Sequence, residues 1–137
     1  MMEEYRAMSP GVAMQVLIVE SNPDLGTVWQ RHLERQGVTV ECTLGQTSAI
    51  EYLQVNSVDL IILDLVLEDG SAFAVADYAN YRYPDTPVIF VTNSSFFSDG
   101  SIFQHMANAC AFVTSEVDPS DLTAMVEHYG RGASAAQ

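Results

Sequence analysis

Asp59-Leu60-Ile61-Ile62-Leu63-Asp64 is an unbroken apolar run closed by an acid. The run is too short for a buried helix and reads as a strand covered on both faces, the pattern of a central strand in a parallel sheet. Working outward, Val16-Leu17-Ile18-Val19, Val88-Ile89-Phe90-Val91 and Ala111-Phe112-Val113 repeat the same texture, while Val38, Val40 and Cys42 alternate with Thr39, Glu41 and Thr43. Helical signals fill the gaps. Asn22 as N-cap and Pro23 at the first helical position open a first helix, with Leu25, Val28, Trp29 and Leu33 on its inner face and Gly37 at its end. A second helix is predicted over Thr47 to Val55 with Ala49, Tyr52 and Leu53 inward, a third over Ala72 to Tyr81, and a fourth over Ser101 to Asn108. A fifth, capped by Asp118-Pro119-Ser120-Asp121, ends near Gly130. Five strands alternating with five helices predict an α/β domain with a parallel sheet and helices on both faces. The predicted boundaries are an extension over 1–14, one domain over 15–130 and a frayed tail over 131–137.

The composition of the 137-residue chain fits one domain able to bury its own core. No apolar stretch approaches the length of a membrane span and the first residues carry no secretory pattern, so the expected location is cytoplasmic. Eighteen acids face five basic residues, all arginine, for a formal charge of −13. Such a surface should repel nucleic acid and anionic membranes. Cys42 and Cys110 have no metal-ligand spacing and read as buried, inert thiols; His32, His105 and His128 share no ligand spacing either.

In parallel α/β sheets, chemistry gathers at the carboxyl ends of the strands. The residues just past four strands are Glu20, Asp64, Thr92 and Ser115. With these in place, VLIVESNPDL, LIILDLVLEDG, VIFVTN and AFVTSEVDPSDL, in order and each closing a predicted strand, resemble the response-regulator receiver family over about Gln15 to Tyr129. The resemblance implies a flavodoxin-like, doubly wound, five-stranded (βα)5 fold. It also implies roles. Asp64 matches the aspartate that accepts a phosphoryl group from a histidine kinase or phosphotransfer protein. Glu20, Asp64 and the backbone carbonyl of Val66 match the Mg²⁺ ligands. Thr92 and Phe112 match the hydroxyl and aromatic switch pair. Ser115 stands where the family has a lysine.

The residue types suit the chemistry. A carboxylate attacking phosphorus meets like-charge repulsion, which a cation, a point charge and a directional hydroxyl relieve. The chain departs from the pattern at Ser21, where the family has a second acid, at Ser115, at Glu68 in place of proline and at Ala72 in place of glycine. No lysine elsewhere in the chain can replace the missing one. Mg²⁺ binding is therefore expected to be weak. Losing acid and base together leaves Glu20 and Asp64 at the same formal −2 as the full pattern.

Phe96 and Phe97 lie in the loop after the fourth strand, next to the face of fourth helix, fifth strand and fifth helix that the family uses for output or dimer contacts. They are expected to carry the contact with a downstream protein or a second copy. The functional expectation is a single-domain receiver in a phosphorelay. The rival is a pseudo-receiver acting as a phosphorylation-independent interaction or dimerisation module. A flavodoxin-like cofactor enzyme fits poorly, because Ser21-Asn22-Pro23-Asp24 follows the first strand where a glycine-rich phosphate loop would stand.

Overall fold

The computed structural model describes residues 13–92 and 108–135. The elements are β1 (Gln15–Val19), α1 (Pro23–Arg35), β2 (Thr39–Thr43), α2 (Gln46–Val55), β3 (Leu60–Asp64), α3 (Ala72–Arg82), β4 (Val88–Thr92), β5 (Ala109–Thr114) and α4 (Pro119–Ala135). The last of these, α4, is the fifth helix of the sequence reading. The predicted fourth helix, Phe96, Phe97, His105 and most of the N-terminal extension lie outside the described residues.

All strand pairs are parallel, in the order β2-β1-β3-β4-β5. Because side chains alternate across a strand, the apolar runs serve two cores at once. Leu17, Val19, Ile61, Leu63, Val88 and Phe90 pack under α2 and α3 with Ala49, Leu53, Val75 and Ala79. Val16, Ile18, Leu60, Ile62, Ile89 and Val91 pack under α1 and α4 with Trp29, Leu33, Leu122 and Val126. This double burial is why the strands read as continuous rather than alternating. β3 sits in the middle, with Leu60 to Leu63 fully buried and only Asp64 reaching the surface.

The local chemistry of the helix ends is visible. Asn22 Oδ1 accepts from the N–H groups of Asp24 and Leu25, at 3.0 and 3.4 Å. Ser71 Oγ does the same for Phe73 and Ala74 at α3. Asp118 Oδ1 accepts from Ser120 N–H at 2.8 Å before α4. Gly37 takes a φ of +86° where α1 stops, a left-handed turn that glycine makes at no steric cost.

Four expectations need correction. Val28 is 42% exposed, and Gly26 takes its place beside Trp29 and Leu33 on the buried face of α1. The thiols are half-buried rather than buried, though both are free and each is pushed up to about 11, chiefly by burial. β5 begins at Ala109, two residues earlier than expected, with a register irregularity that pairs Ile89 with Ala111 and passes over Cys110. The last helix runs through Gly130 and Gly132 to Ala135, because glycine costs a helix interior only about 1 kcal/mol, not a break.

Candidate functional site

Parallel registration brings the predicted residues to one end of the sheet. Val19 is paired with Leu63, so Glu20 stands level with Asp64. Asp64 is paired with Val91, so Thr92 lies one residue further along the adjoining strand. Thr92 is fully buried and in register with Thr114, and its carbonyl accepts from Ser115 N–H at 2.7 Å. Glu20, Asp64, Thr92 and Ser115 thus follow one another across β1, β3, β4 and β5. Phe112 is paired with Phe90 and packs, partly buried, against the core under α2 and α3.

Glu20 is only 5% exposed. Oε2 accepts from Asn22 N–H at 3.1 Å, while Oε1 is buried with no donor. The neighbouring group is another carboxyl, Asp64, and burial beside a second carboxyl favours the protonated form of Glu20. Glu20 is accordingly pushed up to about 7, first by burial, then by the hydrogen bond and charge of Asp64, with the Asn22 N–H pulling the other way. Asp64 Oδ1 also accepts from Val66 N–H at 3.1 Å, which turns the chain sharply after β3.

Ser21 has a job that its sequence does not announce. Its hydroxyl donates to the Leu44 carbonyl at 3.1 Å and accepts from Glu68 N–H at 2.9 Å. Glu20 N–H donates to the Thr43 carbonyl at 3.0 Å. Gln46 N–H donates to the Asp69 carbonyl at 2.9 Å, and Gln46 Oε1 accepts from Ser71 N–H at 2.8 Å. A Cβ on Gly45 would lie 2.8 Å from the Asp69 carbonyl, so only glycine lets the two loops approach this closely. The loops after β1, β2 and β3 are therefore stitched together. Leu44, Gly45 and Gln46 were not anticipated as site-supporting residues. At the Asp69-Gly70 turn, Gly70 takes a φ of +87°.

The donor set suits a hard divalent cation. Such an ion is commonly held by one or two carboxylates with carbonyls and waters, and the orphaned Glu20 Oε1 beside Asp64 offers two carboxylates to one. Ser21, committed to two loop contacts, adds no charge. Among the described residues no three acidic, histidine or cysteine side chains converge as a metal cluster. No arginine of known placement helps: Arg31, Arg35 and Arg82 are exposed on α1 and α3, the last over the Tyr83 ring at 5.1 Å.

Comparison with known proteins gives a consistent picture. The profile of the response regulator receiver domain matches residues 16–127. A response regulator protein, PilR of Pseudomonas aeruginosa, is 30% identical over 112 residues, covering 82% of this chain and 25% of PilR. The transcriptional regulatory protein YvrH of Bacillus subtilis is 27% identical, covering 81% and 46%. The chain thus spans less than half the length of these relatives. In fold, it is similar to a CheY-like receiver domain protein of Methanospirillum hungatei, with TM-score 0.83, 21% identity and coverage of 92% and 100%. It is similar also to the receiver domain of a sensor histidine kinase of Pseudomonas aeruginosa described with a magnesium ion coordinated in its active site cleft, at TM-score 0.75, 16% identity and coverage of 88% and 99%.

Proposed function

The chain belongs to the response regulator receiver domain family of two-component signalling, and from that premise we infer that Asp64 is a phosphoacceptor for a histidine kinase or phosphotransfer protein. The observation that carries this is the partial exposure of Asp64 alone at the end of a strand whose other residues are fully buried. A charged group closing a central strand is costly unless it is used. In the step itself, an Asp64 carboxylate oxygen forms the O–P bond as the P–N bond of the donor phosphohistidine breaks. The backbone N–H of Val66 fixes the carboxyl, and Thr92, at the adjoining strand end, would supply the hydroxyl partner of the phosphoryl group. Glu20, Asp64 and the Val66 carbonyl would hold Mg²⁺, which when bound neutralises charge on the phosphoryl oxygens. Thr92 and Phe112 would relay the change to a downstream protein or a second copy, through a surface that includes β5 and α4.

Incubation with a small phosphodonor and Mg²⁺, followed by intact mass, tests the reading. The wild type gains one phosphoryl group and Asp64→Asn gains none. A wild type that never gains it, with Asp64→Asn retaining normal signalling, would overturn the proposal. A second reading is favoured by the double engagement of Ser21, which turns a metal-ligand position into a loop tie: a pseudo-receiver that binds its partner without phosphorylation.

A further inference from the structure

A second surface lies away from this site. β2 is an outer strand of the sheet, and among the described residues no strand pairs with its far side. Thr39 N–H donates to the Met14 carbonyl and the Thr43 carbonyl accepts from Glu20 N–H. The bonds of a parallel strand alternate from side to side, so the N–H and C=O groups of Val40 and Cys42 face outward. Beside this edge is an open groove of about 510 Å³ between β2 and α2, with Glu41, Leu44, Glu51, Tyr52 and Val55 in its lining. Leu44 is 54% and Val55 81% exposed, large apolar side chains left in water at the two ends of the groove.

The charge of the groove has one sign. Glu41 and Glu51 are exposed, and among the described residues no basic one lines it. The field of Glu41 reaches both walls, since it helps raise the Cys42 thiol and the Tyr52 hydroxyl. Natural edge strands are commonly guarded by bulges, prolines or charged side chains. β2 (TVECT) pairs regularly with β1 and carries one such guard, the exposed Glu41, which repels an acidic strand and admits a cationic one. A second copy of this chain is a poor occupant, because each copy carries a formal −13.

We propose that the β2 edge and the β2–α2 groove dock an extended, cationic segment of a partner protein. The segment adds a strand through Val40 and Cys42, packs apolar side chains on Leu44 and Val55 at the two ends of the groove, and places lysines or arginines against Glu41 and Glu51. Nothing in this depends on Asp64, so the docking and the phosphoacceptor reading stand or fall separately.

The test titrates an amidated heptapeptide Lys-Thr-Val-Thr-Lys-Thr-Val, whose lysines and valines share one face of a strand, into the ¹⁵N-labelled full chain, with the same peptide carrying glutamate for lysine as control. Amide shifts should concentrate at 40–44 and 51–56, and the Val40 and Cys42 amides should become slower to exchange. The double variant Glu41→Gln/Glu51→Gln should bind about tenfold more weakly, and Val55→Ser should weaken binding with the spectrum of the free protein otherwise preserved. Shifts spread evenly over the acidic surface, no binding at millimolar peptide, equal binding of the control, or an unchanged affinity in the charge variant would each overturn the proposal. So would concentration-dependent self-association centred on the same residues without peptide.

Discussion

The carboxyl end of the sheet has two unlike halves. On the β1–β3 side, Glu20 and Asp64 crowd two carboxyls together, and one oxygen is buried without a donor. On the β4–β5 side, Thr92 and Ser115 are neutral and closed by a backbone hydrogen bond. In the receiver pattern that the sequence resembles, a lysine on the second side answers the acids of the first. Here Ser115 and Ser21 stand at the positions that the resemblance assigns to that lysine and to a second acid, and the Glu20 carboxyl is pushed up to about 7, first by burial and then by Asp64. The lesson is that a buried carboxyl beside a second one favours its protonated form where no cation stands near.

Three changes would break or sharpen this contrast. The largest effect is expected from Glu20→Gln in the absence of metal. The folded carboxyl titrates near 7 against an ordinary 4.5, so the native state binds more protons than the unfolded chain between those values. Stability should be full below about 4.5 and fall as the pH rises through 7. The amide cannot ionise and can donate to Asp64. It should flatten the profile and stabilise the protein at pH 8 by on the order of 3 kcal/mol, read by urea unfolding at several pH values. A wild-type profile flat from pH 5 to 8 would contradict the raised Glu20 carboxyl.

How much of this contrast was legible in advance depends on the kind of interaction. The strands were legible because burial on two faces forces unbroken apolar runs, and Asp64 was legible because an acid closes the most buried of them. Asn22 and Gly37 carry their roles in their own chemistry. Val28 misled because its spacing fits the inner face of α1, and only three-dimensional packing puts Gly26 there instead. The burial of Glu20, the double bond of Ser21 and the close passage of Gly45 by Asp69 depend on loops far apart in sequence, and no local pattern encodes them.

The second change, Ser115→Lys, would restore the missing point charge. A charge-assisted bond is worth about 1.5–3 kcal/mol, so the phosphorylated fraction at limiting phosphodonor should rise by about one to two decades in equilibrium terms, measured by intact mass. Adding Ser21→Asp should strengthen Mg²⁺ binding further in calorimetry. The geometry adds a cost: aspartate can accept from Glu68 N–H but cannot donate to the Leu44 carbonyl. If Ser115→Lys leaves phosphorylation unchanged, the neutral half is not what limits the site.

The smallest effect is expected from Ser21→Ala. It removes two hydrogen bonds at a partly exposed position, and a loss of about 1 kcal/mol in denaturant unfolding follows. A change within error would show that the loops are held by Gln46 and Gly45 alone.

The ties between these loops also set how this end of the molecule opens. The amides of Glu20 and Gln46 donate to the backbone carbonyls of Thr43 and Asp69, so neither can meet solvent unless those segments part, whereas those of Glu68 and Ser71 donate to the Ser21 hydroxyl and the Gln46 side-chain oxygen, which a side-chain rotation releases. Hydrogen exchange at Glu20 and Gln46 should therefore report a shared opening, and exchange at the exposed Glu68 and Ser71 should be faster. Thr43 and Leu44 belong both to that cooperative unit and to the wall of the β2–α2 groove. Whatever loosens the loops around Asp64 must therefore also loosen the floor on which a docked strand would rest.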